Sequence, residues 1–145
     1  MRYRPRHVET RILEALDDTR VVVVNGARQA GKSTAVHALI GQHPGAVEWQ
    51  LDRASDLQSA LADPTEFVRH AGLLVVDEVQ RAPDLILAIK ATVDRNQRPG
   101  QFLLTGSARL LGLRHLPDAL VGRSETIELW PFSQGEIDGW PDGFV

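Results

Sequence analysis

Residues Val21–Ser33 read VVVVNGARQAGKS. Four consecutive valines form a short β-branched run of the kind that a fully buried parallel strand requires. The run breaks at Asn25-Gly26, and from Gly26 to Ser33 the residues fit G-x-x-x-x-G-K-[ST]. The glycines let the backbone approach a polyphosphate closely and take conformations closed to other residues. The amides of Ala27, Arg28, Gln29, Ala30 and Gly31, continuing through Lys32, Ser33 and Thr34 into a helix N-terminus, are expected to form a concave anion site. Lys32 is placed to reach β- and γ-phosphate oxygens, and the Ser33 hydroxyl to ligate Mg²⁺. A glycine-rich turn that binds nothing is the plain alternative. The buried strand before the loop and the helical pattern after it favour a nucleotide phosphate site.

Outward from this loop, the apolar positions Val36, Leu39 and Ile40 continue one helical face, which Gly41 ends. On the other side, Val8, Ile12, Leu13 and Leu16 have the spacing of an amphipathic helix that packs beside the phosphate-loop strand. Val47–Leu51 alternates as a strand with Asp52 at its end. Two short helices are expected next, one capped by Ser55 and one opened by Asp63-Pro64. Leu73–Val76 is a second buried-strand run that ends in Asp77-Glu78. Pro83 starts a helix with Leu85, Ile86, Ile89 and Val93 inward. Gln101–Thr105 is a third core strand, ending in Gly106-Ser107, and Glu125–Trp130 alternates as the last strand. Strands alternating with helices predict an α/β fold whose parallel sheet is covered on both faces.

Composition narrows the function classes. At 145 residues the chain fits one domain with a real core. A net charge of −3 gives no global attraction to nucleic acid or to an anionic membrane. The basic arm Arg2, Arg4, Arg6 keeps nucleic acid open as a partner. The absence of cysteine excludes disulfides and thiolate metal sites and fits a reducing cytoplasm. The five histidines show no metal-ligand spacing. No apolar run approaches the ~20 residues of a membrane span, so no membrane partner is expected.

In parallel α/β folds, sites gather at the carboxyl ends of the strands. Three apolar strands here end in polar residues of catalytic type. Asp77 suits the second carboxylate of a Mg²⁺ site, acting on the ion through a bound water. Glu78, pointing differently, can orient and deprotonate an attacking water. Ser107 or Thr105 can offer a hydroxyl to the γ-phosphate or the water. Arg123 can neutralise developing charge as an arginine finger, with Arg109 and Arg28 competing for that role.

The segments GARQAGKS, LLVVDEVQRAPDLI, FLLTGSARLL and LVGRSETIELWPFSQGE, in that order, resemble the prokaryotic AAA-type predicted ATPases. Those are P-loop ATP-binding proteins that normally carry a C-terminal domain of unknown function. The resemblance implies a P-loop NTPase three-layer sandwich with a central parallel sheet of about five strands. It is the additional-strand catalytic-glutamate order, with the Gly106-Ser107 strand between the phosphate-loop strand and the Asp77-Glu78 strand. It also implies Glu78 as catalytic base, Ser107 as sensor and Arg123 as the arginine of the G-R motif. The family pattern often has two hydroxyl residues after the glycine, whereas Ala108 follows Ser107 here. Val145 follows soon after the segment 131–136, so the expected organisation is one ATPase core over 1–145 without the family's helical lid or second domain.

The expected function is hydrolysis of ATP to ADP and phosphate with Mg²⁺, driving a conformational switch. The alternatives are a small-molecule kinase on the same scaffold, with Asp52 as an acceptor contact, and a nucleotide- or nucleic-acid-binding module without turnover. ATP and Mg²⁺ are the expected cofactors. Other copies of the chain become partners if Arg123 acts across subunits.

Overall fold

The computed structural model describes residues 5–26, 32–41, 45–106, 120 and 122–129, with side chains at 10–25, 36–41, 45–106, 120 and 122–127. The strands are β1 (Val21–Gly26), β2 (Val47–Gln50), β3 (Leu74–Asp77), β4 (Phe102–Gly106) and β5 (Ser124–Leu129). The helices are α1 (Pro5–Asp18), α2 (Lys32–Ile40), α3 (Ala54–Ala62), α4 (Pro64–Phe67) and α5 (Asp84–Arg95), with a 3₁₀ turn at Val79–Arg81. All strand pairs are parallel, in the order β2-β3-β4-β1-β5. β4 therefore lies between β1 and β3, and the α/β sandwich around a five-stranded parallel sheet is the expected one.

The valine run explains why the sheet is covered on both sides. Side chains alternate along a strand. Val22 and Val24 face a core with Ile12 and Leu16 of α1 and Val36 and Leu39 of α2. Val21 and Val23 face the opposite core, where Leu85, Ile86, Ile89 and Val93 of α5 pack. Fully burying such a side chain is worth about 1.5–3 kcal/mol, so the four valines contribute roughly 6–12 kcal/mol, the scale of a domain's whole net stability. A run of this kind cannot be left on a surface loop.

Several local expectations hold. Asp63 caps α4 by accepting the Glu66 N–H, with Pro64 in the first turn. α5 starts after Pro83 and buries its four expected residues completely. The turn into β4 uses Gly100 at φ +73, where a Cβ would come within 3.2 Å of the Leu16 carbonyl.

Others shift. Ser55 does not cap α3: Arg53 occupies that position and makes no side-chain cap. Asp56, in the first turn of α3, instead accepts the Gln50 N–H at 2.9 Å, tying the helix start to β2. An acidic side chain there meets both the helix dipole and a strand-end amide. The expected helical or irregular stretch 110–121 lies outside the described residues except for Leu120, which is buried.

Candidate active site

β1, β3 and β4 all run in one direction, so Gly26, Asp77 and Gly106 reach the same edge of the sheet. The register makes this quantitative. Asn25 pairs with Gly106, and Val76 with Leu104. α2 begins at Lys32, so its N-terminus and positive dipole end stand at this edge too. The backbone of Lys32, Ser33 and Thr34 forms the first turn of that helix. Ala27, Arg28, Gln29, Ala30, Gly31 and Ser107 lie outside the described residues. Asn25, the last side chain before the loop, is buried, and its Oδ1 accepts no hydrogen bond among the described residues. A polar orphan beside four buried valines marks where the apolar strand gives way to the polar end of the sheet.

Glu78 departs from the strand geometry. Its φ of 59° and ψ of 49° are left-handed, and it is the single non-glycine residue with positive φ among the described residues. For an L-residue that conformation costs about 1–2 kcal/mol. Two hydrogen bonds offset it, each worth roughly 0.5–1.5 kcal/mol. The Glu78 N–H donates to Thr105 Oγ1 at 3.2 Å, and Gln80 Nε2 donates to Glu78 Oε1 at 2.6 Å. The turn takes Glu78 out of the strand's alternation and aims its carboxylate differently from that of Asp77. The side chain is buried, only 5% exposed.

The carboxylates of Asp77 and Glu78 are joined by that of Asp52, with one oxygen from each lying within 4.8 Å of the other two. Asp52 follows β2, whose last residue Gln50 pairs with Asp77, and the Leu51 N–H donates to the Asp77 carbonyl at 3.1 Å. Arg81 Nη1 stands 3.4 Å from Asp52 Oδ1. Carboxylate oxygens this close together are of the hard-donor type that a divalent cation of the Mg²⁺ kind takes, one or two at a time with several waters. The Thr105 hydroxyl also donates to Asp77 Oδ1. Its proton and one lone pair are thus directed at the acidic pair.

Arg123 stands elsewhere. Ser124 pairs with Val21 at the start of β1, whereas the phosphate loop follows Gly26 at the end. Five residues of strand separate the two levels, about 17 Å at ~3.3 Å per residue, more than an arginine side chain spans. A turn closed by Arg123 N–H to the Leu120 carbonyl delivers it there, with Gly122 at φ +76 in the position that demands glycine. The guanidinium forms a two-point pair with Asp94 of α5, Nε to Oδ1 at 2.5 Å and Nη2 to Oδ2 at 3.2 Å. Lys90 Nζ lies 3.1 Å from the same carboxylate. Hydrogen bonds from Arg123 and then Lys90 hold the Asp94 carboxyl at about 2, and Asp94 in turn raises the Arg123 guanidinium.

The fold thus gathers Gly26, the start of α2, Asp77 and Glu78 at one edge and sets Arg123 at the other. Three further participants are signalled weakly or not at all by the sequence. Asp52 follows a strand and so satisfies the carboxyl-end rule, but the sequence points only to an acceptor contact. Thr105 is, in sequence, an alternative to Ser107 for touching phosphate. Gln80 carried no signal, because its role depends on the left-handed turn at Glu78.

A family model described as AAA domain matches residues 18–138. Uncharacterized proteins of Mycobacterium bovis and Mycobacterium tuberculosis are each 38% identical over 128 residues, covering 86% of this chain. The chain spans 28% of the length of these curated relatives. Among solved structures, a Walker-type ATPase of Pyrococcus abyssi superposes with a TM-score of 0.61 at 14% identity, covering 92% of this chain and 55% of that one. A Pif1 helicase from Candida albicans gives 0.58 at 14%, covering 95% and 41%. A DNA replication initiation factor gives 0.57 at 15%, covering 85% and 44%. Likeness at these identities is likeness of fold, that of the P-loop NTPases. With the family model covering most of its length, the chain belongs to the AAA domain family.

Proposed function

We propose that this chain binds ATP with Mg²⁺ and hydrolyses it to ADP and phosphate, using turnover as a conformational switch. The observation that carries this reading is the left-handed turn at Glu78. It puts a buried carboxylate beside Asp77, at the edge where β1 meets the N-terminus of α2. In this reading the loop amides of 26–31 and Lys32 hold the phosphates. Ser33 and Asp77 would hold Mg²⁺, which would supply neutralisation of phosphate charge when bound. Glu78 accepts a proton from the attacking water, and Ser107 contacts the γ-phosphate. The kinase alternative keeps Asp52 as its acceptor contact, beside the acidic pair and Arg81.

The test is conversion of ATP to ADP and phosphate by the purified chain with Mg²⁺ and no acceptor, repeated with chelator. Conversion only in the presence of an added acceptor would favour a kinase. Binding without conversion would favour a binding module. DNA belongs among the additions, because two of the structural neighbours are a Pif1 helicase and a DNA replication initiation factor. No helix among the described residues is long and apolar enough to cross a membrane.

Lys32→Ala is expected to weaken ATP binding by about 1.5–3 kcal/mol, the worth of one charge-assisted hydrogen bond. Calorimetry with and without the substitution reads this directly. Equal affinities would remove Lys32 from the phosphate site.

A further inference from the structure

β3 and β4 pair in register from Leu74↔Phe102 to Val76↔Leu104, and there the ladder stops. The next two residues across would be Asp77 and Thr105. At this level a side chain takes over from the main chain. Thr105 is completely buried, and its Oγ1 accepts the Glu78 N–H at 3.2 Å while its proton goes to Asp77 Oδ1. A hydroxyl has one proton and two lone pairs, so both contacts are met at once and in one sense only. The N–H that Glu78 withdraws from the sheet by turning left-handed is the one the hydroxyl receives.

We propose that Thr105 is a positioning residue for the Asp77-Glu78 pair. Its hydroxyl fixes the Asp77 carboxylate and the backbone turn that aims Glu78. This rests on the reading of those two residues as the metal-binding acid and the base. Thr105 acts through these two residues. Valine has the same shape and offers neither contact; serine offers both and lacks only the methyl group.

The experiment compares Thr105→Val and Thr105→Ser with the parent chain in ATP turnover, together with ADP affinity measured without Mg²⁺. Misplacing a reacting group by about 1 Å can cost ~10²-fold, so Thr105→Val is expected to lose kcat on that scale. ADP affinity should stay at the parent value, and Thr105→Ser should recover most of kcat. Parent-level turnover in Thr105→Val overturns the proposal. So does a Thr105→Ser chain as slow as Thr105→Val, since the methyl group and not the hydroxyl would then matter. If Thr105→Val fails to fold, amide exchange in the parent decides. The Glu78 amide should be protected although it lies outside the ladder, and exchange at the rate of exposed turn amides overturns the proposal. The underlying reading fails separately, through a Glu78→Gln chain that turns over at the parent rate while its residue-78 amide stays protected.

Discussion

Glu78→Gln is expected to bind ATP and Mg²⁺ as the parent chain does and to lose about 10²- to 10⁴-fold in turnover, the usual contribution of a general base. The amide keeps the shape of the carboxylate and removes its basicity. It can still meet the Gln80 side chain, and its main-chain N–H still meets Thr105, so the left-handed turn survives the substitution. That is why this change isolates chemistry from structure. Asp77→Asn is expected to behave differently. It weakens Mg²⁺-dependent binding as well as turnover, because its carboxylate belongs to the converging oxygen cluster. Single-turnover assays at saturating ATP separate the two. If Glu78→Gln hydrolyses at the parent rate, the base is another group, and Asp52 in the same cluster is the first to test.

The fold was legible in the sequence where apolar residues had to be buried on both faces at once. The runs Val21–Val24, Leu73–Val76 and Phe102–Leu104 admit one solution in a chain of this size, a central parallel strand. Strand order was not legible from periodicity. It followed from the resemblance, because hydrophobic runs do not say which neighbour they pair with. Local chemistry read well at Asp63-Pro64, where a side-chain cap and a proline act within four residues. It read poorly at Ser55, where the long-range partner of Asp56, the Gln50 amide, set the helix start instead. The site divides in the same way. Asp77 and Glu78 stood out as a strand-ending acidic pair. What orients them did not, since Gln80 and Thr105 act through a backbone turn that no residue preference announces. Glutamate is a poor candidate for a left-handed residue. Such local conflict between residue and conformation is most often found at functional sites.

Arg123→Ala is expected to lower turnover by about 10³- to 10⁵-fold, the range for an arginine that meets transition-state charge on a transferring phosphoryl group. The loss should occur without loss of nucleotide binding. The position of Arg123 dictates how that can happen. It lies at the opposite edge of the sheet from its own phosphate loop, about 17 Å away along β1, so it has no route to the nucleotide held by the same chain. In the proposed reading, Arg123 serves the γ-phosphate held by a second copy of the chain. Asp94 holds the guanidinium by two hydrogen bonds, so the side chain arrives with little freedom left to lose. This pair is insensitive to working pH. With Asp94 held at about 2, below the ordinary carboxylate range, the pairing is in place above that range and is lost only as pH falls through about 2. No change in turnover between pH 5 and 9 should trace to it. Lysine should not substitute, because a point charge cannot reproduce the two-point geometry. Two further results are required. Specific activity must rise with protein concentration, since the complete site needs two chains. A mixture of Arg123→Ala and Lys32→Ala must recover turnover that neither has alone, because each supplies what the other lacks. Activity per chain that stays flat on dilution, with a mixture that stays inactive, would restrict Arg123 to bracing the start of β5 against α5.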